Sequence, residues 1–205
     1  MKTLIVTYLP RNERSKTKLL VDKFLEEARA KSVEIDVLDL LKETPDLFLE
    51  TNLNAYTKRN YGKEELNEEE KTSMKKMDAM TEQFKSADAV VVAFPMYNFS
   101  QPAAVKAWFD SILQKGETWD VGANGYIGLM KGKKALVLMS SGGVYEGEMK
   151  NYEHAMSLTK GLFGFMGFED IRGISAAGVN AKPDNADEIV SNAQAEVSKT
   201  VQDWY

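Results

Sequence analysis

The strongest constraint on the fold is a regular alternation of short apolar runs with longer amphipathic segments along the chain. The apolar runs are rich in β-branched residues, and such residues favour extended backbone. We expect strands at Thr3–Tyr8, Val33–Leu38, Ala89–Phe94, Ala135–Ser140 and Phe168–Ala176. Helices are predicted at about Ser15–Ala30, Glu68–Ser86, Ala103–Leu113, Tyr152–Met166 and Ala186–Trp204.

This order of elements predicts an α/β fold, with a doubly wound five-stranded parallel sheet and helices on both faces. Ala89–Phe94 is entirely apolar, which indicates a strand buried on both faces. Val33–Leu38 alternates apolar with acidic residues and is expected nearer an edge. Five strands fit the flavodoxin-like order 2-1-3-4-5, in which ligands bind beyond the carboxyl ends of the strands.

The chain length of 205 residues and the hydrophobic content of 43% suit a single domain, 1–205, with two insertions. The insertions are expected at about Leu41–Asn67 and Gly116–Gly132, which are long for plain connections. Loops of that length usually carry function or cover something, and surface decoration is the alternative.

Composition excludes several classes of chemistry. The chain has no cysteine, which removes disulfides, thiol catalysis and iron–sulfur clusters. His154 is the only histidine, so we expect no metal site. Redox chemistry would therefore require a bound organic cofactor.

Charge and hydropathy bear on partners and location. The net charge of -5, without a long basic run, disfavours nucleic acid and anionic membranes as partners. The short apolar run at the N-terminus is stopped by Pro10 and predicts a strand rather than a signal peptide. No apolar stretch is long enough to cross a bilayer, so we expect a soluble, cytoplasmic protein.

Three unusual loops follow the first, third and fourth predicted strands, which are neighbours in the order 2-1-3-4-5. The first loop, Leu9–Lys18, ends in Ser15 and Thr17 at the start of a helix, where free N–H groups favour an anion. Arg11, Arg14, Lys16 and Lys18 add positive charge. Simple capping of the helix by Ser15 is the alternative.

The second loop, Pro95–Pro102, places three large side chains outside the expected core: Met96, Tyr97 and Phe99. Asn98 lies among them and offers both a donor and an acceptor. Flat apolar walls with a polar contact suit a planar ligand such as an isoalloxazine ring. A tight turn folded under a neighbouring helix is the alternative.

The third loop, Ser140–Gly147, contains Gly142 and Gly143, which we expect to let backbone amides approach a ligand at φ/ψ values that other residues resist. Gly161, Gly164 and Gly167 lack the spacing of a dinucleotide motif, and close helix packing is expected of them. The methionines at Met74, Met77 and Met80 recur at helical spacing and predict packing residues.

With these motifs in view, the sequence resembles the bacterial FMN-dependent NADH-azoreductases, which are flavodoxin-like relatives of the NAD(P)H quinone oxidoreductases. The resemblance rests on PMYNFSQPAAVKAWFDSILQKGETW, beginning at Pro95, and on KGKKALVLMSSGGV, ending at Val144. It extends from the first strand through Leu162–Ile171 to the last helix. The two blocks are specific together, whereas the R-S-x-T of the first loop is not.

The resemblance implies which residues bind FMN. Phosphate contacts fall on Ser15, Lys16 and Thr17; ring and ribityl contacts fall on Met96, Tyr97, Asn98 and Phe99; contacts at a second edge fall on Ser140, Ser141, Gly142 and Gly143. The sequence departs from the family at Leu9–Pro10, where many members have serine, and at Ser175–Gly178. At Tyr145, many members have histidine.

The resemblance also implies a reaction and an assembly. NADH or NADPH would pass hydride through FMN to a quinone or azo acceptor in a ping-pong cycle, with Tyr145 a candidate hydrogen-bond donor to the acceptor. It implies a homodimer, in which Phe99, Trp108, Trp119 and Tyr126 would serve as aromatic walls or interface residues. Helix core is the alternative for Trp108. A flavodoxin-like electron carrier acting on a protein partner is the rival function, and a relative without flavin is a second one.

Overall fold

Five parallel strands form the central sheet in a computed structural model that describes residues 1–205. They are β1 (Lys2–Thr7), β2 (Glu34–Asp39), β3 (Ala89–Pro95), β6 (Lys134–Ser141) and β7 (Asp170–Ala177). The order across the sheet is β2-β1-β3-β6-β7. Counted among these five strands alone, this is the predicted order 2-1-3-4-5, and the second strand lies at an edge as expected.

Six α-helices accompany the sheet: α1 (Lys16–Ala30), α2 (Glu50–Tyr56), α3 (Glu68–Ser86), α4 (Ala103–Ile112), α5 (Ala155–Phe165) and α6 (Ala186–Trp204). Side chains on successive strand residues point to opposite faces, so each buried strand supplies two cores. On one face, Leu4 packs with Phe84 of α3 and Trp108 of α4. On the other, Ile5 packs with Phe24 of α1 and Val197 of α6. Trp108 is fully buried, so it is a core residue, as the alternative interpretation expected, and not part of an aromatic wall or interface.

The segment between β2 and α3 contains α2, followed by a π-helical turn at Thr57–Tyr61 that the sequence did not predict. Tyr56 packs on Met74 and Met77 of α3, which confirms the methionines as packing residues. Arg59 donates to both carboxylate oxygens of Asp78, at 2.7 and 2.9 Å, and to Gln114 Oε1 at 2.8 Å. This forked ion pair fastens the segment to the body of the fold.

The segment between α4 and β6 forms an antiparallel hairpin, β4 (Trp119–Gly122) and β5 (Gly125–Gly128), also not predicted. The hairpin rests on the carboxyl end of α5. The rings of Trp119 and Phe165 lie 5.2 Å apart, and those of Tyr126 and Phe165 lie 5.5 Å apart. The backbone N–H of Met130 donates to Met166 O at 2.8 Å.

Helix α5 departs from prediction at its start and in the packing of its glycines. It begins at Ala155 rather than Tyr152, because a separate 3-10 helix at Gly147–Tyr152 precedes it. Gly161 faces open space, so the expectation of close packing is wrong there. Gly167 does pack closely, since its backbone meets that of Gly128, and its φ of 93° ends the helix in the left-handed region.

The amino end of β7 carries a charged cluster around Asp170. Its carboxylate accepts from Arg172 at 3.0 and 3.1 Å and from Trp204 Nε1 at 2.9 Å. Burial acts to raise the pKa of Asp170, but these hydrogen bonds outweigh it and hold that pKa below its ordinary value. None of the helices is both long and apolar enough to traverse a bilayer.

Candidate functional site

A cleft of about 380 Å³ lies at the carboxyl ends of the central strands. Parallel strands bring the loops that follow β1, β3, β6 and β7 to this edge. The walls are formed by Arg11, Arg14, Ser15, Lys16, Pro95, Met96, Tyr97, Ser140, Ser141, Gly142, Val179 and Asn180. The three loops singled out in the sequence therefore do converge.

The loop after β1 makes the basic end of the cleft. Ser15 is buried and caps α1, its Oγ accepting from Lys18 N at 3.2 Å. Ser15 therefore does cap the helix. The N–H groups of Lys16 and Thr17, in the first turn, still have no intrahelical acceptor. Arg11 and Arg14 are exposed and form no ion pair, whereas Lys16 pairs loosely with exposed Asp187 at 3.3 Å. An anion placed here would meet both the helix dipole and free cations.

Thr17 has a different place from Ser15. It is fully buried, and its hydroxyl lies 2.6 Å from Ser140 Oγ, with either atom able to donate. This bond joins the start of α1 to the end of β6 across the floor of the site. Its effect is to fix the orientation of the Ser140 side chain.

The loop after β3 is a tight turn. Tyr97 and Ser100 exchange backbone hydrogen bonds of 3.1 and 3.0 Å, and Asn98 and Phe99 between them have φ values of 47° and 72°. Two successive left-handed residues are typical of a type I′ turn, and they are costly for phenylalanine. The bond from Met96 N to Ser140 O, at 2.9 Å, ties the turn to β6.

Tyr97 reaches the cleft and is more than a third exposed. Its ring meets that of Tyr8 edge to face, with 6.4 Å between centroids. Partial burial raises the pKa of Tyr97, the neighbouring Tyr8 hydroxyl adds to the rise, and Arg11 opposes it. The phenol therefore stays neutral and able to donate a hydrogen bond at physiological pH.

The two glycines of the loop after β6 do not have the unusual backbone angles expected of them. Neither Gly142 nor Gly143 has a positive φ. A Cβ on Gly142 would instead lie 2.6 Å from the Asn180 side-chain nitrogen, so a larger residue there would displace the Asn180 side chain. The N–H groups of Asn180 and Ala181 both donate to Gly142 O, at 3.1 and 2.9 Å.

Val179 and Asn180 belong to the cleft and were missed in the sequence. The sequence signal that could have found them is Gly178, which directly follows β7 and has a φ of 88°. A glycine ending a strand beside a ligand crevice marks a turn back towards the site. Their side chains carry no motif of their own.

Phe99 lies outside the cleft wall, and its ring is flanked by two other aromatic rings. Its centroid lies 6.1 Å from that of Tyr145 and 5.4 Å from that of Tyr152. The backbone N–H of His154 donates to Phe99 O at 2.9 Å. His154 itself is exposed and directly precedes α5.

Comparison with known proteins identifies the family. A family model with the description "Flavodoxin-like fold" matches residues 1–201. FMN-dependent NADH:quinone oxidoreductase 1 of Bacillus licheniformis is 37% identical over 167 residues, which are 81% of this chain and 80% of that protein. This chain belongs to the FMN-dependent NADH:quinone oxidoreductase family.

Solved structures agree with this family. The azoreductase from Bacillus anthracis strain Sterne has a TM-score of 0.92 at 29% identity, covering 100% of both chains. The FMN-dependent NADH-azoreductase of strain Ames Ancestor, solved in complex with FMN, has a TM-score of 0.88 at 30% identity. That match covers 98% of this chain and 97% of the other. The predicted resemblance is confirmed.

Within this member of the oxidoreductase family, the predicted contacts divide into two groups. Seven form the cleft wall: Ser15, Lys16, Met96, Tyr97, Ser140, Ser141 and Gly142. Five lie outside the wall: Thr17, Asn98, Phe99, Gly143 and Tyr145. Thr17 is sealed beneath the wall, while Phe99 and Tyr145 stand beside it with their rings in contact.

Proposed function

We propose that the cleft binds FMN and that the enzyme uses NADH to reduce quinones or azo compounds. The observation that carries the proposal is one cleft with a basic helix N-terminus at one end and the Met96–Tyr97 turn at the other. This is the donor arrangement that a phosphate joined to a planar ring requires. Membership of an FMN-dependent oxidoreductase family supports the same cofactor.

The residues present fit FMN. Ser15 and Lys16 offer hydroxyl, ammonium and backbone N–H donors to the phosphate, and buried Thr17 supports them from beneath the cleft wall. The structure adds Arg11 and Arg14, whose side chains have no competing carboxylate. These cations suit a dianionic group better than a neutral one.

The flat part of the cofactor would contact the turn and the loop after β6. Met96, Tyr97, Asn98 and Phe99 would face the ring and ribityl chain, with Ser140, Ser141, Gly142 and Gly143 at the second edge. The bond from Met96 N to Ser140 O holds these two loops at a fixed separation. Thr17 contributes by bracing the Ser140 hydroxyl.

The overall reaction is NADH plus a proton plus quinone, giving NAD⁺ and hydroquinone. Bound FMN supplies the hydride acceptor and donor that this transfer needs. The protein positions the two substrates in turn and excludes water, so we propose ping-pong kinetics. Tyr145 would donate a hydrogen bond to the acceptor, for which its hydroxyl group beside Phe99 is placed. A Tyr145→Phe enzyme with unchanged kcat would remove this role.

We also propose a homodimer with its sites at the interface. Large apolar side chains are exposed on the hairpin, among them Val121 and Tyr126 at 54 and 72%. Exposed patches of this kind are typical of protein contacts. A strictly monomeric species in sedimentation at working concentration would contradict the shared site.

The decisive measurement is the visible spectrum of the purified protein. We expect a flavin spectrum that NADH bleaches without oxygen and that menadione restores. Steady-state NADH oxidation with menadione then separates the enzyme from an electron carrier, which would show almost none. Colourless protein that fails to take up FMN would overturn the proposal.

A further inference from the structure

The segment Val144–Glu153 stands beside the turn that lines the cleft. It begins directly after Gly143 and ends where His154 N donates to Phe99 O. Within it, Tyr145 and Tyr152 both contact the ring of Phe99. We name Phe99, Tyr145 and Tyr152 the aromatic trio.

The aromatic trio differs from the aromatic clusters of the core because it is open to solvent. Phe99 is 42% and Tyr152 is 51% exposed, whereas Phe84, Trp108 and Phe163 are fully buried. Neither tyrosine hydroxyl of the trio has a hydrogen-bond partner within the protein. Open ring faces with free phenol donors suit a flat molecule that carries acceptor oxygens at its edge.

The charge of the same segment is negative. Glu146 and Glu148 are exposed and have no basic side chain within ion-pair distance. Lys150 is the only basic residue of the segment, against three glutamates. One of these, Glu153, is engaged at the start of α5, where it accepts from Met156 N at 2.6 Å.

Charges from other elements do not cancel this excess. Glu146 shares a groove with Lys182 and Glu188, which together contribute no net charge there. The cations Arg11, Arg14 and Lys16 line the opposite, basic end of the cleft, where a phosphate would neutralise them. The side of the aromatic trio therefore remains negative when the cleft is filled.

We propose that the aromatic trio, with Glu146 and Glu148, forms the acceptor-side wall and selects flat uncharged or cationic acceptors over sulfonated or carboxylated ones. This inference rests on the proposed function. NADH is not disfavoured in the same way, because it carries its negative charge on the pyrophosphate, away from the nicotinamide ring that must enter the site. A sulfonate attached directly to a quinone ring would instead lie within the trio's reach.

The test compares 1,4-naphthoquinone with 1,4-naphthoquinone-2-sulfonate, using NADH and FMN-loaded enzyme. The quantity measured is the ratio of kcat/KM for the sulfonate to kcat/KM for the parent quinone. Intrinsic reactivity of the two quinones cancels when this ratio is compared between enzyme variants. In Glu146→Gln/Glu148→Gln we expect the ratio to rise about threefold to tenfold at low salt. The rise should shrink as ionic strength shortens the screening length.

The matched control is Glu169→Gln/Glu196→Gln, which removes the same charge from exposed sites without ion pairs. Glu169 precedes β7, at the opposite end of the strands from the cleft. We expect its ratio to equal that of the wild type. A second variant, Tyr152→Ala, should raise KM for 1,4-naphthoquinone while the flavin spectrum stays as in the wild type.

The outcomes separate the two proposals. If the wild type reduces 1,4-naphthoquinone but the ratio moves equally in both double variants, or in neither, the inference is refuted and the function stands. If FMN-loaded wild type oxidises no NADH with either quinone, the proposed function fails and the inference falls with it. A Tyr152→Ala enzyme with unchanged KM would remove that tyrosine from the wall.

Discussion

Replacing Gly128 with alanine tests the seating of the hairpin on α5. An added Cβ would lie 2.3 Å from Gly167 N and 2.4 Å from the carbonyl carbon of Met166. Both atoms are backbone, so no side chain can rotate out of the way. The hairpin must lift instead, which breaks the bond from Met130 N to Met166 O.

The expected loss in the free energy of unfolding follows from those two effects. Overpacking against rigid atoms costs about 1–3 kcal/mol, and the lost backbone hydrogen bond adds about 1 kcal/mol. For a chain of this size each kcal/mol lowers Tm by about 2–4 °C, so we expect a fall of roughly 4–16 °C. The contact of Trp119 with Phe165 should loosen at the same time.

Gly161→Ala is the control, because it adds the same methyl group within α5, the helix on which the hairpin rests. Nothing lies within 4 Å of its added Cβ. Alanine is better than glycine inside a helix by about 0.5–1 kcal/mol, so this variant should be more stable than the wild type.

Urea unfolding should be measured at one fixed FMN concentration, since a ligand that binds the native state shifts apparent stability. Tryptophan fluorescence reports the hairpin through Trp119. A Gly128→Ala protein within about 0.5 kcal/mol of wild type, the usual range for a neutral surface change, would refute the close backbone contact. Destabilisation by Gly161→Ala would contradict the open space around that residue.

Three further predictions concern charge and hydrogen bonding. Because the pKa of Asp170 is lowered in the folded state, its contribution to stability is present above its unfolded pKa of about 3.9 and is lost as pH falls through the folded value. Asp170→Asn should therefore be less stable at neutral pH and lose less stability on acidification, as urea midpoints from pH 7 to pH 2 would show; parallel curves would contradict this. Arg14→Gln should weaken FMN binding and flatten its salt dependence in fluorescence titrations, whereas Arg29→Gln, on the far end of α1, should change neither. Thr17→Val should lower the free energy of unfolding by about 1–3 kcal/mol, because it leaves the Ser140 hydroxyl unpaired. Because the two side chains share this bond, the double variant Thr17→Val/Ser140→Ala should lose less stability than the sum of the two single variants.

The sequence predicted the sheet well because each strand carries its own pattern. Ala89–Phe94 could only be central, and the acidic alternation of Val33–Leu38 matched an edge. The convergence of the loops followed from strand order alone. Local composition and simple topology were enough for these features.

The remaining features depend on contacts between distant residues. No local pattern distinguishes Gly161, which faces solvent, from Gly167, which meets Gly128 across the hairpin. Val179 lies in the cleft because the loop after β7 folds back on the end of β6, where Val179 N donates to Ser141 O at 3.2 Å. Thr17 looked like a cleft hydroxyl, and its burial depended on a partner 123 residues away. Tertiary packing decides such cases.

The cleft described above is assembled from four stretches of chain that lie far apart: 11–16, 95–97, 140–142 and 179–180. Synthesis proceeds from the N-terminus, so the last wall is made when most of the protein already exists. If FMN binds in this cleft as proposed, its capture is a late step in biogenesis that follows synthesis of the early strands.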